Sequence, residues 1–273
     1  MATKLGILVV HGMGCQQPGF AAEMIDSIRA LLTKERLEPS DVCWQPVYWA
    51  DLVQPAEDRI WKAVSRHHDL SYVTLRQFVI SYFGDAIAYQ RVPGQQEGVY
   101  QRIHECVHQK LVELRRTLDD QDKPLMIIAH SLGCAIMSNY IWDRQHGYDA
   151  HNFGANPFER METLCGMITF GCNIPLFVLA YAEIVAIQFP PPTLPPALRP
   201  KAKWSNYFDT DDVLGYPLRP LSPTYEQAVT EDVEINVGGI LTSWNPLSHT
   251  AYWSDDGFIK RVTKEVREVL SAL

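Results

Sequence analysis

The stretch IIAHSLG, residues 127–133, places a serine between an apolar, β-branched run and a segment with helical patterning. The apolar run predicts a strand that is buried on both faces, and residues 134–143 predict a helix. Small residues, Ala129 and Gly133, stand two positions before and after Ser131, so strand and helix can pass close to each other. This arrangement is typical of a sharp strand–turn–helix in which a strained serine presents its hydroxyl.

The pattern around this turn repeats along the chain as strands alternating with helices. Together with residues 124–128, strands are predicted at residues 5–10, 42–49, 164–170, 203–208 and 233–237. Helices are predicted at residues 21–34, 97–119, 134–143 and 256–270. Such alternation predicts a single α/β domain over residues 1–273, with a doubly wound, mostly parallel sheet. Pro46 indicates that the second strand lies at an edge or carries a bulge.

Two segments do not fit this regular alternation. Residues 53–119 are predicted to be a helical insertion, and their aromatic residues make it a candidate cap or dimer contact: Trp61, Tyr72, Phe78, Tyr82, Phe83 and Tyr89. Residues 174–202 are a candidate lid, with an apolar helix over 176–189 followed by a stiff proline-rich loop over 190–200. A buried packing helix is the alternative interpretation of 176–189.

Composition and charge narrow the function class. Hydrophobic residues make up 47% and charged residues 21% of the 273 residues, as in an ordinary globular protein. The net charge of -8 argues against a nucleic-acid partner, which would need a basic surface. A membrane surface is a possible partner, but the sequence does not indicate one. The chain shows no secretory signal, and its six scattered cysteines predict reduced thiols and a cytoplasmic location.

The serine turn resembles that of the α/β-hydrolase superfamily, and the chain looks most like its lipase, esterase and thioesterase branches. The resemblance covers residues 5–253, including the sequence HGMG at residues 11–14 after the first strand. Ala129 stands where the family usually has its first glycine, which adds one methyl group. The resemblance implies that Ser131 is a nucleophile that hydrolyses a small acyl compound without cofactor or metal.

The resemblance also implies an oxyanion hole made of two backbone N–H groups. These come from Met13 and from Leu132, the residue after the nucleophile. Gly12 and Gly133 are supporting residues, because glycines let the backbone approach a substrate closely. His11 is expected to order the loop by hydrogen bonding and not to transfer protons.

The family order of serine, acid and histidine identifies the other two catalytic candidates. The acid follows the fifth strand, where Asp212 matches the family pattern best, and Asp209 and Asp211 remain alternatives. His249 lies after the last strand and before the last helix, which is where the family has its general base. An acidic loop whose aspartates cap their own turns is the structural alternative.

Two other hypotheses about the function compete with the serine hydrolase. The sequence HECVH at residues 104–108 satisfies a zinc-hydrolase pattern, but Leu111 and Leu114 stand where the longer pattern has glycine and histidine. The other competitor is a catalytically silent binding or scaffold protein with a hydrolase fold. An ester is the expected substrate, a thioester or an amide would use the same residues, and the oligomeric state is open.

Overall fold

A computed structural model describes residues 3–14, 16–66, 71–91, 98–148, 154, 156–179, 181–238 and 248–273, without the side chains of residues 74, 75, 78 and 248. Its centre is one sheet of six parallel strands in the order β2-β1-β3-β4-β5-β6. The strands are Leu5–Val10, Val42–Val47, Leu125–His130, Leu164–Phe170, Lys203–Phe208 and Glu231–Glu234. The predicted α/β class and parallel sheet are confirmed.

Helices flank the sheet. They are α1 to α9 in chain order: Ala22–Lys34, Gln54–Ser65, Val73–Ala88, Val99–Thr117, Leu132–His146, Ile174–Val178, Pro223–Ala228, Ser248–Ala251 and Asp256–Leu270. Short 3₁₀ turns connect several of these elements.

Each central strand buries side chains on both faces of the sheet. In β1, Ile7 and Val9 belong to one hydrophobic cluster, and Leu8 and Val10 belong to the other. The first cluster includes apolar residues of α1 and α9, and the second includes those of α4 and α5. Because successive strand residues point to opposite faces, an unbroken apolar run requires helices on both sides, as the sequence predicted.

The strand order creates a switch point between β1 and β3. The chain runs outward from β1 to β2 in one direction, and from β3 through β6 in the other. Open parallel sheets bind ligands at the carboxyl ends of the strands where the order reverses. The loop after β1 and the turn after β3 therefore lie side by side at the edge most suited to a ligand. The edge position of β2 agrees with Pro46 in that strand.

The segment 53–119 contains helices of two kinds. Helix α4 packs against β1 and β2, so it is a crossover helix of the sheet. Helices α2 and α3 pack mainly against each other. The Phe78 side chain and residues 67–70 and 92–97 of this segment lie outside the described part of the chain.

The predicted helix over residues 176–189 is wrong. Helix α6 ends at Val178, and residues 181–189 run as irregular chain into the proline-rich loop. Side chains from other elements bond this backbone, because Ala186 N–H donates to Thr224 Oγ1 and Gln188 N–H donates to Gln145 Oε1, both at 2.9 Å. The apolar run therefore buries residues such as Ile187 and Phe189 without forming a helix.

The sixth strand begins and ends earlier than residues 233–237. It pairs with β5 from Glu231 to Glu234, and Val237 N–H instead donates to Asp209 Oδ2 at 2.7 Å. The chain thus leaves the sheet to bond the loop after β5. Within the described residues, no helix combines the length and the apolar character needed to cross a bilayer.

Candidate active site

Ser131 occupies a strained turn between β3 and α5. Its backbone angles are φ 52° and ψ -123°, a conformation that non-glycine residues rarely adopt. The backbone N–H of Ser131 donates to the Phe170 carbonyl at 3.1 Å, so the end of β4 holds the turn. Strain of this kind persists only where the surroundings enforce it, and it points the side chain away from both strand and helix.

Two glycines are required by close approach at this turn. A Cβ on Gly133 would lie 2.6 Å from the His11 carbonyl oxygen, which is backbone and cannot move easily. A Cβ on Gly12 would lie 2.5 Å from Ser131 Cβ. The loop after β1 and the turn after β3 therefore touch through positions that tolerate no side chain.

The structure brings Ser131, His249 and Asp212 into one hydrogen-bonded chain. Ser131 Oγ lies 2.7 Å from His249 Nε2, and His249 Nδ1 lies 2.9 Å from Asp212 Oδ2. Because a carboxylate only accepts, the Nδ1 atom carries the proton and Nε2 of a neutral ring is the acceptor for the serine hydroxyl. All three side chains are buried.

The carboxylate of Asp212 accepts hydrogen bonds from three residues. Besides His249, its carboxylate accepts from Leu214 N–H at 3.0 Å and from the Tyr252 hydroxyl at 3.0 Å. These donors fix the orientation of the carboxylate toward the imidazole of His249.

The other two acid candidates have different surroundings. The carboxylate of Asp209 accepts from the backbone N–H groups of Asp211 and Val237, so it organises the loop after β5. Asp211 is exposed. Of the three aspartates, Asp212 is the one whose carboxylate meets His249.

His11 links the loop after β1 to the chain after β2. Its Nδ1 donates to the Gly12 carbonyl at 2.7 Å, and its Nε2 accepts from Trp49 N–H at 3.1 Å. Burial lowers the pKa of His11 to about 4, so the ring is neutral near pH 7. The Trp49 indole also donates to the His11 carbonyl and stacks on its ring. These contacts suit a residue that positions the loop.

Three backbone N–H groups border the site and have different surroundings. The N–H of Gly14 donates to Asp85 Oδ2 at 2.9 Å, so it faces helix α3 and not a substrate. Met13 lies one residue earlier, in the loop that touches Ser131 through Gly12. Leu132 begins α5, and the first N–H groups of a helix have no partner within the helix.

Helix α3 contributes a tyrosine to the site. The Tyr82 hydroxyl lies 3.4 Å from Ser131 Oγ and 3.3 Å from His249 Nε2. Burial raises the pKa of the Tyr82 phenol, so it stays neutral and can donate. Its hydroxyl therefore competes with that of Ser131 for the same imidazole nitrogen.

Helices α2 and α3 also join the site through a pair of carboxyl groups. Asp85, which accepts from Gly14 N–H, lies against Glu57 of α2, and both are buried. Burial raises the pKa of both carboxyls; the charge of Glu57 raises the pKa of Asp85 further, whereas a hydrogen bond with Asp85 lowers that of Glu57. Through these contacts, the Asp85–Glu57 pair joins α2 and α3 to the loop after β1.

The histidines of the HECVH sequence have other partners. His104 Nε2 lies 2.8 Å from the Tyr89 hydroxyl, and His104 Nδ1 lies 3.6 Å from Asp143 Oδ2. Burial lowers the pKa of His104 to about 3. Over the residues that the structure describes, no three metal-ligating side chains cluster, and His104 belongs to a packed polar network.

Sequence reasoning missed several residues of this site. Tyr82 was noted only as one of many aromatics, because nothing in its surroundings along the chain predicts where α3 docks. Tyr252 lies three residues after His249, and this proximity was an available signal. Trp49 follows a strand segment without a recognisable pattern.

No protein-family model matches the chain, and no curated protein is significantly similar to it in sequence.

Proposed function

We propose that this chain is a serine hydrolase with an α/β-hydrolase fold, which cleaves a carboxylic ester through an acyl-serine intermediate. The observation that carries the proposal is the chain of contacts from Ser131 Oγ to His249 Nε2 and from His249 Nδ1 to Asp212. A serine hydroxyl is a weak nucleophile until a neighbouring base takes its proton. Here the base and its orienting acid are both in hydrogen-bond contact.

The proposed reaction starts when Ser131 Oγ attacks the acyl carbonyl and His249 Nε2 takes the hydroxyl proton. The N–H groups of Met13 and Leu132 are the proposed donors to the resulting oxyanion. His249 then gives its proton to the departing alcohol, which leaves the acyl group on Ser131. A water molecule, deprotonated by His249, releases the acid and restores the serine.

Asp212 acts in this scheme through the imidazole. Its buried carboxylate keeps the Nδ1–H tautomer in place and stabilises the positive charge that forms on the ring. The Tyr252 hydroxyl donates to Asp212 Oδ2, the same oxygen that lies 2.9 Å from His249 Nδ1. The His249 carbonyl accepts from His130 Nε2 at 2.7 Å, which holds the backbone of the base.

Labelling with a fluorophosphonate probe tests the proposal. We expect the purified wild-type chain to be labelled, labelling to survive EDTA, and Ser131→Ala to abolish it. Ser271→Ala, which changes a serine at the exposed end of α9, is the control and should label as wild type.

The outcomes separate the competing functions. A folded wild-type chain that stays unlabelled, with and without detergent, would contradict the proposal and favour a silent binding protein. Hydrolysis that EDTA abolishes would favour the zinc hypothesis. If labelling depends on Ser131, a panel of matched esters, thioesters and amides then identifies the preferred bond.

A further inference from the structure

A cavity of about 600 Å³ lies along helix α5. One wall is a stripe of α5 with helical spacing: Ala135, Ser138, Asn139 and Trp142. The facing wall comes from α6 and the chain that follows, including Ile174, Phe177 and Val178. Small-molecule sites have volumes of roughly 300–1,000 Å³, so the cavity has the size of a ligand site.

The cavity begins near Ser131 and leads away from it. Ala135 lies one helical turn after the serine, and Trp142 lies further along the same face. At 1.5 Å rise per residue, Trp142 is about 16 Å along the helix axis from Ser131. The three side chains of the catalytic chain do not line the cavity, so the cavity is a separate compartment beside them.

Asn173 stands between the two compartments. It precedes Ile174, which lines the cavity, and it is close enough to the Tyr82 hydroxyl to influence its pKa. Asn173 is fully buried and within hydrogen-bonding reach of the Tyr82 hydroxyl. It therefore links the wall of the cavity to the tyrosine beside Ser131.

The walls of the cavity show what kind of ligand it fits. Its surface is largely aromatic, with Tyr89, Tyr181 and Tyr225 in addition to Trp142 and Phe177. Aromatic walls favour apolar or ring-containing groups.

The part of the cavity near Trp142 also has a polar wall. Asp143 accepts from the Tyr100 hydroxyl at 2.9 Å and lies 3.8 Å from the Arg91 guanidinium. All three of these residues line the cavity. The end of the cavity near Trp142 can therefore form hydrogen bonds with a polar group at the end of a ligand. A plain hydrocarbon chain has no such group.

We infer that this cavity binds one arm of the substrate on which Ser131 acts, and that the arm is elongated, mainly apolar or aromatic, and ends in a hydrogen-bonding group. The inference rests on the proposed function for its link to Ser131. Binding to the cavity is nevertheless measurable without catalysis. We therefore expect the protein to prefer long esters with a polar terminus over acetates as substrates.

Two neighbouring positions on one turn allow a matched test. Val178 lines the cavity and is half-buried, whereas the side chain of Leu179 is exposed and does not line it. Val178→Trp should fill part of the cavity, and Leu179→Trp adds the same bulk to the surface. Thermal unfolding of both variants shows that each is folded.

Kinetics with two ester series test the inference, one lengthened on the acyl side and one on the alcohol side. We expect Val178→Trp to lower kcat/KM for the longest esters of one series at least about tenfold, with acetate hydrolysis and probe labelling changed less than about twofold. Leu179→Trp should match wild type on every substrate. An equal loss on short and long esters, or no loss at all, would overturn the inference.

Calorimetry separates this inference from the proposed function. Ser131→Ala should bind a long ester with a terminal hydroxyl, and adding Val178→Trp should weaken that binding at least about tenfold. Such binding would stand even if the wild type proved unable to hydrolyse any ester. Equal affinity with and without Val178→Trp would contradict the cavity site while leaving Ser131 chemistry untouched.

Discussion

The main fold and the helices α2 and α3 both contribute residues to the same site. The main fold provides Ser131 and Asp212 from the segments after β3 and β5, and His249 from α8, which precedes α9. Helix α3 provides Tyr82 and Asp85, and α2 provides Glu57 against Asp85; these residues reach the site only because the two helices dock there. The first group forms one chain of short hydrogen bonds, and Tyr82 of the second group contacts that chain at longer distances.

This difference suggests a division of roles. Residues at strand ends are positioned by the sheet itself, whose parallel ladder leaves little freedom. Residues on α2 and α3 are positioned by a few polar contacts, chiefly the one between Asp85 and Gly14. We therefore expect changes at the strand ends to affect chemistry strongly, and changes on the two helices to affect access and stability moderately.

The largest expected effect is that of Asp212→Asn. The amide cannot stabilise the imidazolium and favours the wrong tautomer, so kcat for ester hydrolysis should fall about 10⁴-fold. Asp211→Asn, one residue away and exposed, is the matched control and should retain wild-type activity. Comparable losses in both variants would mean that the loop as a whole matters and not the contact with His249.

A smaller effect is expected for Tyr82→Phe. Removing the hydroxyl removes a competitor of Ser131 for His249 Nε2, and a hydrogen bond of this kind contributes about 0.5–1.5 kcal/mol. The rate of probe labelling should therefore rise roughly two- to tenfold. Phe83→Leu changes a neighbouring exposed aromatic and serves as control. A marked fall in labelling with Tyr82→Phe would instead assign the phenol a direct part in the reaction.

The smallest effect is expected for the pH dependence of stability. Because burial raises the pKa of Asp85 and Glu57, the folded state binds protons more tightly than the unfolded state. Stability is then fully present at or below about pH 4, where an unfolded carboxyl titrates, and declines as pH rises toward the raised pKa.

Asp85→Asn should flatten this decline while still accepting from Gly14 N–H. We expect the wild-type free energy of unfolding to fall by an amount on the order of 1 kcal/mol between pH 5 and 8, or about 2–4 °C in Tm. Asp26→Asn, which changes an exposed carboxyl, should keep the wild-type slope. An unchanged slope in Asp85→Asn would show that the pair is not the titrating group.

The strand-end half of the site could be located from the sequence because its signals are local. An apolar run that stops at a serine flanked by small residues specifies a strand, a turn and a helix within about fifteen residues. The order of Ser131, Asp212 and His249 then follows the strands. Local patterning failed where apolar residues were buried without regular structure, as at Ile187 and Phe189, because hydrophobicity alone does not distinguish a helix from an irregular buried segment.

What the sequence alone determined is the alternation that builds a parallel α/β sheet and the three side chains placed near its carboxyl edge. Only the tertiary structure decided that Asp212, and not Asp209 or Asp211, meets the imidazole, because neighbouring carboxylates differ only in the direction in which the folded loop points them. It also decided the docking of Tyr82 and Asp85 and the cavity along α5. These contacts join residues far apart in the chain, and no local pattern encodes such distances.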